Sequence, residues 1–487
     1  MELQACLSRW ADRNGAVLAV DDGQTSLSYR ALVRQARDVA ADLQVLTGEG
    51  RPLLIEVAPT VAGATLLCAA LLAGVRFCPM EPEEASRLST VSLPEALHGH
   101  PLVRLTDRRT MQVVPRRTDE KIGKGGGVLE GVPACAVLQL TSGTTALRKV
   151  AVQPYASLQR GAGTYCRLWQ IAPQSRVLVM VPIALSFGMI GGLLAAWQAG
   201  ATAILMPHPS LKRAWREILA PGTATVLASP LHYLTLARMA KRRGGKGEDR
   251  LQRSTAFLSS GAALSDDAAN AFRDLLACPV RQIYGSTETG LMTAVTEADP
   301  PWRLGLVGSS APGVEIRIAA ADGAPADAGG EGQVHVRTPT MFCGYLTPQC
   351  LERTIGPFDF WPTGDLGQMD AEGRLMLRGR VSTFVNVGGR KVHPETVETV
   401  LCGHPQVRQA LVYGEPCSRL GQRLAADVVV APATSLDAII EHCRVRLPAY
   451  QVPQLWRLVD RLETTSTGKV KRNPRQAPGS APIQHGQ

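Results

Sequence analysis

The chain has 487 residues, 45% of them hydrophobic and 19% charged, with 47 glycines and 33 prolines. A chain this long buries a core and divides into about two to four domains or subdomains, which excludes a small disulfide-stapled scaffold, a disordered chain and a collagen-like repeat. The 52 Lys and Arg against 42 Asp and Glu leave a net charge of +10, read either as a solvated basic surface or as affinity for anionic partners; with no basic helix and no Arg/Lys block interleaved with aromatics, nucleic acid is not expected among them.

Apolar and alanine positions at helical spacing predict a helix over 27–46, ending near Gly48. A strand over 53–57, a buried helix over 61–73 stopped by Gly74 and a strand over 75–80 follow; this alternation predicts βαβ units and a largely parallel sheet. Residues 81–132 are less regular and include a Gly/Lys-rich loop at 121–127. A strand over 137–140 opens into a polar loop. Strands over 177–182 and 202–206 flank a helix over 189–198; the apolar stretch 180–206 contains prolines and glycines and is not a membrane span. An exposed turn is expected over 241–250. Strands over 257–260 and 280–284 each end in a Ser/Gly/Thr loop. Beyond Val314 strands dominate, with antiparallel pieces at 332–337 and 375–377. A smaller unit begins near Gly379, with strands over 407–413 and 425–430 and a helix over 436–447 that stops before Pro448. The predicted divisions are therefore a large N-terminal domain over 1–380, a small C-terminal domain over 381–475, and a Pro/Gly/Ser/Gln-rich tail over 476–487 expected to be disordered. The 11 cysteines show neither Cys-x-x-Cys nor Cys/His metal spacing and read as reduced core residues of a cytoplasmic protein; no secretory signal is apparent at the N-terminus.

Four loops carry the chemistry. In the first, Thr141, Ser142, Gly143, Thr144 and Thr145 lead to Lys149: backbone N–H groups, hydroxyls and one cation that can wrap phosphate oxygens, without the spacing of a Walker loop. A plain Ser/Thr turn is the alternative. In the second, Tyr284-Gly285-Ser286-Thr287-Glu288, glycine allows close backbone approach and Glu288 suits Mg²⁺, which takes one or two carboxylates plus substrate phosphates. The alternative is a helix capped by Ser286 or Thr287. In the third, Asp365 at a tight turn can accept both ribose hydroxyls, and Arg380 can pair with a phosphate or with that ribose; a turn beside a surface arginine is the plainer reading. The fourth, Ser466-Thr467-Gly468-Lys469, is either a functional loop or a solvated basic tail.

These loops, in this order, resemble the adenylate-forming superfamily of acyl- and aryl-coenzyme A ligases, peptide-synthetase adenylation domains and firefly luciferase. Four further segments match in order: 27–32 around Ser28-Tyr29, 71–82, 331–346 ending in Gly344-Tyr345-Leu346, and 386–398 around Gly388-Gly389. The resemblance implies an α/β fold: a large N-terminal domain of stacked mixed and parallel sheets with helices plus a β-rich subdomain, and a small α+β C-terminal lid. It implies a reaction in two steps, in which a carboxylate attacks the α-phosphate of Mg·ATP and a thiol then displaces AMP. It assigns Thr141–Thr145 and Lys149 to the ATP phosphates. Ser260, Gly261, Ala262 and Ala263 fall at the adenine-side wall, Ser260 also facing the acid. Tyr284, Gly285 and Ser286 flank adenine and α-phosphate, Thr287 contacts phosphate, Glu288 holds Mg²⁺, and Asp365 and Arg380 hold the ribose. Lys469 is the mobile catalytic lysine. Rotation of the lid exchanges it for a thiol tunnel lined by Gly388 and Gly389.

The chain departs from the pattern at Ala146 and Arg148, where Gly and Pro are usual, at Ser382 in the hinge, at Glu463 in place of Pro, and at Leu185 in place of His. A non-catalytic adenylate-binding protein is therefore one alternative. Ser186, Phe187 and Gly188 are expected to line the acid site. They offer no carboxylate for a substrate ammonium, which favours an acyl or aryl acid without an α-amine over an amino-acid-activating domain. The acceptor reads as coenzyme A or the phosphopantetheine of an acidic carrier protein acting in trans.

Overall fold

The computed structural model describes residues 3–48, 50–86, 97, 100–106, 110–114, 129–141, 149–207, 210–242, 255–262, 264, 266–276, 278–299, 303, 305–320, 323–352, 359–381, 385–387, 390–417, 421–432, 434–464, 470 and 483–484. Its strands form three sheets of 13, 8 and 6 strands among the described residues.

The largest sheet has two characters. Leu18–Asp21, Thr202–Leu205, Arg176–Val179, Thr223–Ala228, Ala256–Ser259 and Val280–Ser286 are paired parallel, neighbour to neighbour. Val280–Ser286 then pairs antiparallel with Gly290–Ala294. The sheet continues antiparallel through Leu306–Ser310, Arg374–Arg380, Trp361–Met369, Gly332–Arg337 and Glu315–Ala319. The β-rich part expected beyond Val314 is thus continuous with the parallel strands. The second sheet runs parallel through Leu53–Glu56, Phe77–Met80 and Ala136–Leu140, then turns back antiparallel into Val150–Pro154.

Between these sheets lies the main core. Ser28 caps the helix Tyr29–Thr47 and Thr60 caps Val61–Ala73, each side-chain oxygen accepting a first-turn N–H that the helix leaves unpaired. The second helix is apolar on every side and buried on every side, as its sequence demands. Buried tyrosines bind the layers together: the Tyr29 hydroxyl donates to Ala201 O at 2.7 Å and that of Tyr155 to Val75 O at 2.6 Å.

Several expectations are corrected. The helix expected over 189–198 is π-helical over Phe187–Leu194 and becomes α-helical only at Ala195–Ala199. A Cβ at Gly191 would lie 2.5 Å from the Tyr165 ring, and one at Gly192 2.7 Å from Val179, so this segment packs backbone against its neighbours through its bare glycines. The irregular stretch 81–132 contains the antiparallel pair Leu102–Leu105 and Met111–Val114. In the tail expected to be disordered, Ile483–Gln484 pairs with Leu455–Leu458. Of the turn expected over 241–250, residues 241–242 instead end the helix Pro230–Arg242, and the remainder, like the loop expected at 121–127, lies outside the described residues.

The third sheet is built around the hairpin Val407–Cys417 and Gly421–Val430. The helices Pro394–Cys402 and Leu436–Arg446 pack on it through Val397, Leu401, Ile439, Ile440 and Cys443, with Trp456 fully buried beneath. None of the eleven cysteines forms a disulfide, and among the described residues no helix is long and apolar enough to cross a membrane.

On the other face of the large sheet Tyr233, Phe257 and Phe272 form an edge-to-face trio with centroids 4.8–6.4 Å apart. Phe272→Ala is expected to cost about 3–5 kcal/mol through the cavity it leaves, and a lowered urea midpoint checks it.

Candidate active site

Parallel strands that share a direction end along one edge, and open α/β sheets bind ligands outside those carboxyl ends. In this chain the loop Tyr284–Glu288 lies at the carboxyl end of Val280–Ser286, the strand at which pairing changes from parallel to antiparallel. Beside it the neighbouring strand ends in the half-buried Ser260 and the exposed Gly261. Gln282 fixes that wall: its Oε1 accepts from Leu264 N and its Nε2 donates to Ala262 O, both at 3.1 Å. No helix follows Thr287, which removes the capping alternative; the chain turns directly into Gly290–Ala294. A Cβ on Gly285 would meet Gly290 O at 2.4 Å, so only glycine permits this tight hairpin.

Asp365 lies within a strand rather than at a tight turn, paired directly across from Arg380. Its two oxygens are used separately. The Tyr284 hydroxyl donates to Oδ2 at 2.5 Å, and Arg380 Nε donates to Oδ1 at 2.7 Å. Thr363 stiffens the approach, accepting from Asp365 N at 3.1 Å and donating to Val334 O at 2.9 Å. Burial first, and then the Asp365 charge, push the Tyr284 hydroxyl well above its ordinary range. Burial works against the Arg380 cation, but the Asp365 charge and hydrogen bond outweigh it and the guanidinium shifts upward. The trio therefore presents a neutral phenol, a carboxylate and a cation.

Four residues after Tyr284, Glu288 Oε1 accepts from the Tyr345 hydroxyl at 2.7 Å, and Glu288 O accepts from Phe342 N at 2.8 Å. Lys149 Nζ sits 4.6 Å from the Tyr345 ring centroid. Lys149 and Thr141 close the base of the first loop: Thr141 N donates to Lys149 O at 2.9 Å and Lys149 N to Thr141 Oγ1 at 3.3 Å. Gln153, opposite Val137 on the strand that follows Lys149, donates through Nε2 to Thr287 O. Ser286 Oγ and Thr289 Oγ1 share a hydrogen bond at 3.0 Å.

The residues expected at the acid side open the π-helical segment. Ser186 Oγ donates to Oε1 of the buried Gln139 at 2.6 Å, and Phe187 packs half-buried against the main core. Gly188 abuts Pro182 O, which a Cβ would approach to 2.2 Å.

The structure thus brings Thr141, Lys149, Thr287 and Glu288 to one end and Tyr284, Asp365 and Arg380 to the other. Ser142, Gly143, Thr144, Thr145, Ala263, Gly388, Gly389 and Lys469 lie outside the described residues; Thr464 and Val470, which bracket Lys469, form an isolated antiparallel bridge. Tyr345, Gln139 and Gln153 were not singled out from the sequence. The only signal was the Gly344-Tyr345-Leu346 match, which carries no chemistry until Glu288 is seen beneath it. Among the described residues no group of three or more His, Cys, Asp or Glu gathers as a metal site. One carboxylate with a single oxygen engaged does not hold a divalent ion by itself, but it fits Mg²⁺ that arrives on nucleotide phosphates.

The sequence pattern of AMP-binding enzymes matches residues 128–346, and that of their C-terminal domain matches residues 396–469. A protein of Humulus lupulus named probable CoA ligase CCL9 is 27% identical over 340 residues, covering 68% of this chain and 64% of its own length. The chain spans a little under two thirds of the curated relatives of this kind. The ATP-bound structure of MatB from Rhodopseudomonas palustris superposes with a TM-score of 0.79 at 22% identity over 97% of this chain and 98% of that one, a likeness of fold. A malonyl-CoA ligase with methylmalonyl-CoA and AMP bound aligns with a TM-score of 0.61 at 28% identity over 93% and 97%.

Asp365→Ala strands the Tyr284 hydroxyl in the interior and is expected to cost about 1–3 kcal/mol. Adding Tyr284→Phe removes the orphaned hydroxyl and recovers part of that loss; urea unfolding of Asp365→Ala, Tyr284→Phe and the double variant tests the coupling.

Proposed function

Because the chain belongs to the AMP-binding enzyme family, we propose that it is an ATP-dependent, AMP-forming ligase that converts a carboxylic acid to an acyl- or aryl-adenylate and passes the acyl group to a thiol, either coenzyme A or the phosphopantetheine of a carrier protein. The observation that carries this reading is the two-ended site around residues 284–288. Asp365 is held between Tyr284 and Arg380 at one end, while Glu288, Tyr345 and Lys149 gather at the other. A nucleotide has the same polarity, with base and ribose at one end and phosphates at the other.

In this reading Tyr284 offers its ring face to adenine beside Gly261, Ala262 and Ala263. The free lone pairs of Asp365 accept from the ribose hydroxyls, and Arg380 orients that carboxylate. The loop from Thr141 to Lys149 donates N–H, hydroxyl and ammonium hydrogens to the phosphates, with Thr287 completing the cradle. Glu288 is the residue that would hold Mg²⁺, which supplies charge neutralisation at the phosphates. Ser186, Phe187, Gly188 and Ser260 bound the acid.

The acid oxygen bonds to the α-phosphorus as the bond to pyrophosphate breaks. Because charge moves among oxygens in this step, positioned donors supply most of the rate. Lys469 is assigned to bridge the acid carboxylate and α-phosphate. In the second step a thiolate attacks the acyl carbon and the bond to AMP breaks, with Gly388 and Gly389 lining the thiol's path. The net charge of +10 suits either anionic acceptor, and the resemblance to named CoA ligases favours coenzyme A. The Ser186–Gln139 pair brings no carboxylate to the acid site, which supports an acid without an α-ammonium.

Pyrophosphate exchange into ATP across a panel of aryl, acyl and amino acids tests this. Exchange is expected with a carboxylic acid lacking an α-amine; exchange with amino acids alone would overturn the substrate class. Lys469→Ala is expected to lower that exchange roughly 10²–10³-fold while equilibrium ATP binding persists.

A further inference from the structure

We propose that Tyr345 is a positioning residue for the metal-holding carboxylate, and that it couples the phosphate loop to Glu288. Three observations on different elements support this. The Tyr345 hydroxyl donates to Glu288 Oε1 at 2.7 Å. Its ring carries the Lys149 ammonium at 4.6 Å from the centroid. Its backbone pairs with Ala151, two residues beyond Lys149. One side chain therefore touches both the cation and the carboxylate of the phosphate end.

The surroundings permit little freedom. Tyr345 stacks edge-on against Phe342 at 5.0 Å and lies 6.2 Å from Trp361. Phe342 N also holds the Glu288 backbone at 2.8 Å. The segment 342–345 thus fixes Glu288 at its backbone and at one carboxylate oxygen. The second oxygen has no partner among the described residues and is oriented by the first contact. Outer partners of metal-holding carboxylates act in this way, by fixing which lone pairs face the ion. A phenol suits the task because it donates one hydrogen bond without a charge of its own, while its ring face attracts the ammonium.

The inference rests on the reading of Glu288 as the Mg²⁺ ligand, and its test is independent of catalytic turnover. ATP is titrated calorimetrically into the full chain in excess Mg²⁺ and again in EDTA, and the ratio of the two affinities is the gain linked to metal. Tyr345→Phe keeps the ring, the packing and the ammonium contact and deletes only the hydroxyl. It is expected to reduce the ratio about 10–100-fold with affinity in EDTA and the thermal midpoint unchanged. Glu288→Gln is expected to reduce the ratio at least as far, and Tyr345→Phe added to Glu288→Gln to do nothing more, because the hydroxyl acts through that carboxylate. A wild-type ratio in Tyr345→Phe, an equal loss with and without Mg²⁺, or additive losses in the double variant would each overturn the proposal, as would a ratio near one in the unaltered chain. Failure of every acid in the exchange panel, with the metal-linked gain intact, would instead count against the proposed ligase activity alone.

Discussion

A carboxylate withdrawn from water has to be paired, and the pairing of Asp365 shapes the site. Four strand-to-strand steps separate the strand of Tyr284 from that of Asp365. At about 4.8 Å per step a flat sheet would hold them about 19 Å apart, yet phenol and carboxylate meet at 2.5 Å. The antiparallel half of the large sheet must therefore roll back toward Val280–Ser286. The cluster of Tyr284, Met292, Val307, Ile318, Val334, Val336 and Leu375 fills the inside of that curl. Closing it brings a residue from the end of a parallel strand against residues more than eighty positions later, and so assembles one site from both halves of the sheet.

Arg380 extends the same constraint to the C-terminal unit. It ends the strand Arg374–Arg380, and the Glu395 charge on the first turn of the next helix acts on it. Nearby, Thr396 Oγ1 donates to Arg378 O at 3.3 Å and a Cβ on Gly379 would meet His393 at 2.8 Å. The cation that orients Asp365 is thus close to the contact between the two units. A movement of one unit against the other would be felt at the ribose end of the proposed nucleotide site.

What the sequence made legible follows the range of the forces involved. The helix Val61–Ala73 is uniformly apolar, begins after a capping threonine and stops at Gly74, all local signals, and it forms over the expected residues. The loops after 257–260 and 280–284 are likewise announced by glycine and hydroxyl residues where apolar strands end. The strand Leu18–Asp21 was not expected, because its place is set by a partner nearly two hundred residues away at Thr202–Leu205. The π-helical turn depends on how closely Gly191 and Gly192 meet Tyr165 and Val179, which spacing along the chain does not report. Tyr345, Gln139 and Gln153 act through contacts with Glu288, Ser186 and Thr287, so their roles appear only once sheets and loops are assembled.

In the proposed first step a carboxylate oxygen attacks the α-phosphorus of ATP. The direct measurement is a single turnover with ¹⁸O-carboxylate-labelled acid, ATP and coenzyme A, followed by mass spectrometry of the nucleotide and phosphate products. One ¹⁸O atom in AMP and none in pyrophosphate is the predicted result. Label in inorganic phosphate with ADP as the nucleotide product, or AMP free of label, would contradict it.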